Sequence, residues 1–329
     1  MARSEFSLLC IGNALVDILS KTDDAFLTQE DIAKSAMVLI EEDRAADLFQ
    51  KMTNRTVASG GSAANTIAGF ASFGGSAAFI GRVADDELGA NFKHDMETLG
   101  ITCATTSVQD GPSTGRCYIF VTPDAERSMN TYLGASVDLN EKDIDEKLIK
   151  QSEIIYLEGY LFDKEPAKNA YFQASQIAAN AGKQVALTLS DTFCVERHRN
   201  DFIELIHSQV DILFANEHEI AALYPDLSEE EIMVEVQQNV GITAITRGEK
   251  GATIVSGRDV LDIPTVQVKN IVDTTGAGDQ FAAGFLYGLS SNKTLSECAN
   301  IGHLAAGEVI SHMGPRPQIE LATLLDKAA

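Results

Sequence analysis

No run of 18 or more apolar residues occurs in the 329-residue chain, so the sequence offers no transmembrane helix. Basic residues are scarce: 25 Lys and Arg stand against 48 Asp and Glu, a formal net charge of -23, which argues against a nucleic-acid partner. The five cysteines (Cys10, Cys103, Cys117, Cys194 and Cys298) form no C-x-x-C pair and have no metal-ligand spacing. They read as buried, reduced thiols. The six histidines are scattered. Also missing are G-x-x-x-x-G-K-[ST], a G-x-G-x-x-G after the first strand and an H-R-D-type loop, which argues against P-loop, Rossmann-dehydrogenase and protein-kinase readings. Met1–Glu5 lead straight into a strand-like segment with no signal-peptide pattern, so a cytoplasmic location is expected.

What is present is enough apolar residue, 45%, for a large core, arranged in alternating strand and helix periods. Strands are expected at 6–11, 77–80, 153–157, 184–189, 211–214, 242–246 and 252–255. Helices are expected near 62–73, 87–99, 165–181, 195–207, 217–223, 229–238, 278–289 and 295–311. The rhythm predicts an α/β fold with a doubly wound, mostly parallel sheet. Two regions break it. Residues 102–134 read as short strands joined by turns, and residues 14–45 also depart from the rhythm. Together they are expected to form a small β-sheet lid, leaving 1–13, 46–101 and 135–329 as the main domain.

The most telling segment is Asp273-Thr-Thr-Gly-Ala-Gly-Asp279. Val266, Val268, Ile271 and Val272 before it suggest a strand, and Phe281, Ala282, Phe285 and Leu286 after it recur at helical spacing. A glycine-rich turn opening a helix presents free N–H groups and a positive dipole end to an anion, here from Gly276, Ala277 and Gly278. Asp279 sits beside that anion site, where a carboxylate repels the guest unless it serves as a proton acceptor for an attacking hydroxyl.

Four further constellations bear on chemistry. Gly60-Gly61-Ser62-Ala63-Ala64-Asn65 is a tight turn into a small-residue helix, with Ser62 suited to an N-cap and Asn65 one turn in, placed to meet a polar ligand. Asn13 and Asp17, after the first strand, either grip hydroxyls or are a turn residue and a solvated acid. Asn216-Glu217-His218-Glu219 either caps a helix or stands near Mg²⁺ through its waters. Thr246-Arg247-Gly248-Glu249-Lys250-Gly251 makes a hairpin turn that could lie near a nucleotide phosphate. Arg127, in the expected lid, either neutralises a phosphoryl group or is solvated.

Taken in this order, the motifs resemble those of the ribokinase-like, or PfkB, family of small-molecule kinases, from about residue 6 to residue 317. Gly60–Asn65 resembles the family's N-terminal glycine signature, Asp273–Asp279 its C-terminal signature, and Asn216-x-x-Glu219 its magnesium-associated motif. Gly12-Asn13-Ala14-Leu15-Val16-Asp17-Ile18, Thr188-Leu189-Ser190 and Gly302-His303-Leu304-Ala305-Ala306 resemble adenosine kinases within it. The resemblance implies ATP and Mg²⁺ as cofactors and phosphorylation of a nucleoside 5′-hydroxyl, most closely that of adenosine. A sugar kinase with a ribose- or fructose-like acceptor is the alternative. It implies that Asn13, Asp17, Gly60, Gly61, Ser62 and Asn65 bind the acceptor and that Asp279 is the base. Gly276, Ala277 and Gly278 would be the anion hole, and Arg127 would act near the phosphates. Ser190, Asn216, Thr246, Arg247, Gly248 and His303 would lie along the ATP site, and Asn216 and Glu219 would sit near Mg²⁺. Asp273 would lie at a K⁺-type monovalent site. Two positions depart from animal adenosine kinases: Leu161 stands where those enzymes have a stacking aromatic, and Met37 where they have a polar residue. A monomer and a homodimer are both compatible with the resemblance.

Overall fold

The computed structural model describes residues 4–124 and 126–327. A nine-stranded sheet runs through the molecule in the spatial order Asp259–Ile263, Ala252–Ser256, Ile242–Thr246, Ile212–Asn216, Gln184–Thr188, Ser152–Glu158, Phe6–Ile11, Ala77–Ile80 and Thr102–Cys103. All neighbours are parallel from Ile242–Thr246 to Thr102–Cys103; the two strands beyond Thr246 turn back antiparallel. The chain starts in the middle of this sheet, steps outward to one side and then to the other. The crevice at the carboxyl end of Phe6–Ile11 is therefore a switch point, the usual place for a ligand in such sheets.

Helices cover both faces, so the strands are buried on both sides. Along Phe6–Ile11, Leu8 and Cys10 enter one core with Ile67, Phe70, Phe281 and Phe285, whereas Leu9 and Ile11 enter the other with Phe162, Tyr171 and Phe202. This is the two-residue period of a strand read against two layers of helices. The cysteines Cys10, Cys117, Cys194 and Cys298 are buried and unpaired; Cys103 is partly exposed. Among the described residues no helix is long and apolar enough to cross a membrane.

A second sheet of five strands stands over the crevice, in the order Met37–Leu39, Arg127–Tyr132, Gly115–Val121, Leu15–Lys21 and Thr56–Gly60. In its central strand Tyr118 and Phe120 pack into the larger core beneath helices Asp24–Gln29 and Glu42–Lys51, while Cys117, Ile119 and Val121 face the other way with Met129. The sequence reading placed Thr56–Gly60 with the main domain, but it pairs antiparallel with Leu15–Lys21 and closes the small sheet. Residues 102–108, expected within the small lid, divide between two other sheets. Thr102–Cys103 extends the large sheet and Thr106–Val108 pairs with Arg82–Ala84. Residues 264–276 form no strand. Val266 and Val268 pack beside Gly307 of helix Leu295–Val309 rather than pairing in a sheet, and Ile271 is 65% exposed.

Candidate active site

A cleft of about 660 Å³ opens between the large sheet's carboxyl ends and the small sheet. Asn13, Asp17, Gly61, Ser62, Asn65, Gly276, Ala277, Gly278 and Asp279 line its centre, and Ser190, Asn216, Glu219 and Thr246 line one wing. Residues separated by more than 260 positions in sequence thus meet because the strand ends and two helix N-termini, Ser62–Ser72 and Ala277–Ser290, converge here.

At the centre, Ser62 Oγ donates to Asp279 Oδ1 at 2.6 Å and Asn65 Nδ2 donates to Oδ2 at 3.2 Å. Burial pushes the Asp279 carboxyl up to about 6, against the pull of these two donors and of the Arg316 guanidinium. It is therefore ionised at neutral pH yet more basic than an ordinary aspartate. The turn before it joins a left-handed glycine to the first turn of a helix. Gly276 has φ 79°, a left-handed geometry suited to glycine, and a Cβ there would lie 2.7 Å from Pro315. The Ala277 N–H, expected to be free for an anion, instead closes the turn by donating to the Thr274 carbonyl at 3.2 Å. Gly278 lines the cleft in the first helical turn, where N–H groups lack helical acceptors.

The acceptor side is anchored by Glu158, a fully buried carboxylate that accepts from Asn13 N at 2.8 Å, Asn13 Nδ2 at 2.6 Å and Ala63 N at 2.7 Å. Desolvation raises it to about 7. Ser136 Oγ donates to Asn13 Oδ1 at 2.8 Å, so the Asn13 carboxamide is fixed on both sides. Asp17 is 8% exposed and raised to about 6 by burial, with Arg316 and Arg127 countering. Among the described residues, no hydrogen-bond donor holds its carboxylate. It faces the cleft as a free acceptor for hydroxyls. Gly60 packs against the Asp17 carboxylate, and Gly61, at φ 102°, lets the chain pass the Asn13 carbonyl, where a side chain would clash. Above this polar floor the small sheet contributes an apolar wall of Leu15, Met37, Leu39, Ile119, Met129 and Leu133. Leu161 is not part of it. That side chain is 1% exposed and packs in the core below the sheet; its neighbour Tyr160 lines the cleft.

Arg127 reaches from the small sheet to Asp273, Nη2 to Oδ2 at 2.7 Å, with both side chains at most 7% exposed. Asp273 also accepts from Thr275 N at 3.0 Å and Gly314 N at 2.9 Å. Both of its oxygens are thus occupied, one of them by a guanidinium, and this arrangement does not fit a monovalent cation. Asn216 and Glu219 form a reciprocal capping box: Asn216 Oδ1 accepts from Glu219 N at 2.8 Å, and Glu219 Oε2 accepts from Asn216 N at 2.9 Å. The capping role and the cleft-lining position coincide, and burial raises Glu219 to about 7. Among the described residues no three His, Cys, Asp or Glu side chains form a metal-chelating group. A single carboxylate already holding hydrogen bonds fits a hydrated Mg²⁺ rather than a bare one.

The residues expected along the ATP site scatter. Ser190, at φ 70°, accepts from Gly159 N at 2.8 Å at the cleft wall. Arg247 pairs with Glu229 at 2.6 Å, and Gly248 opens the turn of the 242–256 hairpin; neither lines the cleft. His303 is 4% exposed, packs 5.1 Å from the Phe281 ring and is shifted down by burial, so it lies behind the cleft wall instead of in it. Two residues at the centre escaped the sequence reading. Glu158 was signalled by an acid ending the buried strand Ile154-Ile155-Tyr156-Leu157, where a charge needs a purpose. Arg316 was signalled only by its place between two prolines.

Comparison with known proteins agrees with this architecture. Residues 30–321 match the pfkB family carbohydrate kinase profile. The adenosine kinase of Sinorhizobium meliloti is 46% identical with a TM-score of 0.91, covering 99% of this chain and 100% of that one. A probable sugar kinase from Rhizobium etli is 44% identical at the same TM-score, covering 99% of each chain. Adenosine kinase 2 of Arabidopsis thaliana is 27% identical over 93% of this chain and 94% of its own length. The chain belongs to the pfkB family of carbohydrate kinases and is a phosphotransferase whose acceptor is a hydroxyl group of a nucleoside or sugar.

Proposed function

We propose that this kinase transfers the γ-phosphoryl group of ATP to the 5′-hydroxyl of a nucleoside, adenosine above others. The observation that carries the reading is the meeting, at Asp279, of an anion-binding turn and a hydroxyl-binding floor roofed by an apolar wall. Asp17 and Asn13 would hold the ribose hydroxyls, with Gly60 and Gly61 bringing the backbone close. The wall from Leu15 to Leu133 suits a flat base. A free sugar would turn hydroxyls toward that wall and leave them without partners, at about 1–3 kcal/mol for each group stranded.

In the reaction the acceptor oxygen bonds to the γ-phosphorus as the bond to the β-phosphate oxygen breaks. ADP leaves and the acceptor proton passes to Asp279. The Gly276–Gly278 turn would stabilise charge gathering on the phosphoryl oxygens. Arg127 would add to it, since among the described residues its buried Nε has no hydrogen-bond partner and its guanidinium already stands beside the turn. Mg²⁺ would neutralise the nucleotide phosphates when bound, with Asn216 and Glu219 holding its waters. Ser190 and Thr246 would border the nucleotide. Arg247 would join them only on leaving Glu229, and Gly248 would then lie beside it. His303 would act from behind Phe281.

A second reading, a ribose- or fructose-like acceptor, has the Rhizobium etli neighbour in its favour. ADP release measured across a panel of nucleosides and sugars separates the two. Adenosine should give the highest kcat/KM, and faster turnover of ribose or fructose would reverse the assignment.

A further inference from the structure

Arg316 belongs to none of the motifs named above, yet it stands in the second layer of the cleft. Its Nε donates to Asn65 Oδ1 at 3.1 Å, and Asn65 Nδ2 in turn donates to Asp279 Oδ2 at 3.2 Å. This three-residue relay has one sense only. A guanidinium has donors and no acceptor, and an ionised carboxylate has acceptors and no donor. Rotating the Asn65 carboxamide would set its NH₂ against the guanidinium and its oxygen against the carboxylate. The arginine therefore fixes which end of Asn65 meets Asp279.

The loop that carries Arg316 is pinned around the anion turn. Gly314 N donates to Asp273 Oδ2 at 2.9 Å, and the Pro315 carbonyl accepts from the fully buried Gln280 side chain at 3.0 Å. Pro315 and Pro317 restrict the backbone on both sides of Arg316. Three acids face the guanidinium, each from a different element: Asp17 on Leu15–Lys21, Asp95 on Glu87–Thr98 and Asp279 on Ala277–Ser290. Asp279 in turn faces the buried carboxyls of Glu158 and Glu219, and Asp17 faces Arg127 as well. Desolvation lowers Arg316 to about 10, still well above neutral pH, so it remains charged.

We propose that Arg316 is a positioning residue of the phosphoryl transfer, orienting Asn65 toward Asp279 and supplying the fixed positive charge that offsets the crowded acids of the cleft floor. The inference rests on Asp279 being the base. Without Arg316, Asp279 and Asp17 lose the cation that draws them down and bind protons at higher pH.

The test is the pH profile of kcat with adenosine and MgATP for the wild type, Arg316→Gln and Arg316→Lys, alongside the Asp279 titration midpoint followed by carboxyl ¹³C NMR in the free protein. Arg316→Gln should move the acidic limb and the NMR midpoint upward by about one pH unit, costing ~5-fold in kcat near pH 6, approaching ~10-fold below pH 5, and recovering most of it at alkaline pH. Arg316→Lys keeps the charge and loses the guanidinium geometry. Its limb should stay in place while kcat falls evenly across the range. A limb and midpoint unmoved in Arg316→Gln would overturn the inference. The NMR midpoint decides even where turnover is lost, and should the Gln variant fail to fold, an evenly reduced profile in Arg316→Lys supports the geometric half and a wild-type profile refutes it. Asp279→Asn separates the two levels: near-normal turnover there removes the base itself, whereas an inactive Asp279→Asn beside an unmoved Arg316→Gln profile removes only the role given to Arg316.

Discussion

At Asp279 two demands compete. A base must be ionised to accept a proton, and a site that excludes water raises the cost of that charge. Burial carries the carboxyl to about 6, and the hydrogen bonds from Ser62 and Asn65 keep it from going further. Asp17 is held at about 6 by the same balance of burial against Arg316 and Arg127. In the roles proposed for them both groups act ionised, so the expected sign is fixed: activity should be present above their shared value and be lost as pH falls through it. A profile of kcat/KM against pH should show an acidic limb near pH 6; a limb near pH 4, where ordinary carboxyls titrate, would contradict the burial argument. Asp279, Ser62, Asn65, Asn13 and Asp17 were all legible as a set, because each sits in a short glycine-marked motif. Glu158 and Arg316 were not, because their partners lie far off in sequence: Glu158 grips Asn13 across 145 positions and Arg316 grips Asn65 across 251.

At the scale of elements, the longer helices of the main domain were read closely, whereas the helices Asp24–Gln29, Glu42–Lys51 and Glu146–Gln151 and the short strands were not. Ala277–Ser290 and Leu295–Val309 were visible from their periodicity, and the structure adds why they are rich in small residues. A Cβ on Gly284 would lie 2.6 Å from the Ile301 carbonyl, and one on Gly302 would lie 2.7 Å from that of Phe281, so the two backbones approach closely. The helix that positions Asp279 is held by this contact. Gly284→Leu should therefore lose about 1–3 kcal/mol of stability by overpacking, read as a lower midpoint in chemical denaturation. Unchanged stability would mean that the helix pair is looser than described. Thr56–Gly60 and Asp259–Ile263 escaped as strands because they are edge strands with polar or glycine positions, held by a neighbour more than by their own residues. The β-branched run at 266–272 misled because Val266 and Val268 pack against a helix at Gly307 instead of pairing with a strand.

Across the whole molecule, a chain with net charge -23 gathers polyanionic and hydroxyl-binding parts at one cleft. Its local field comes from few sources: the N-terminal end of Ala277–Ser290, Arg316 below and Arg127 above. Arg127 joins the small sheet to the main body through Asp273 and Thr275, which places it beside the turn proposed to receive the phosphoryl group. The doubly wound sheet was legible from alternation alone. A small sheet over the cleft was legible too, from residues 14–45 and 102–134, but the part played by Thr56–Gly60 was not, because the five strands come from four separate stretches of chain. The account stands on the hydroxyl pocket and the anion turn meeting at one carboxylate. The most direct test is a single-turnover measurement with ATP and adenosine in Asp279→Asn, paired with calorimetric binding of adenosine to the same variant. Phosphoryl transfer should slow by ~10²–10⁴-fold with adenosine still bound. Transfer at close to the wild-type rate would show that Asp279 is not the base and that the two pockets serve a different centre.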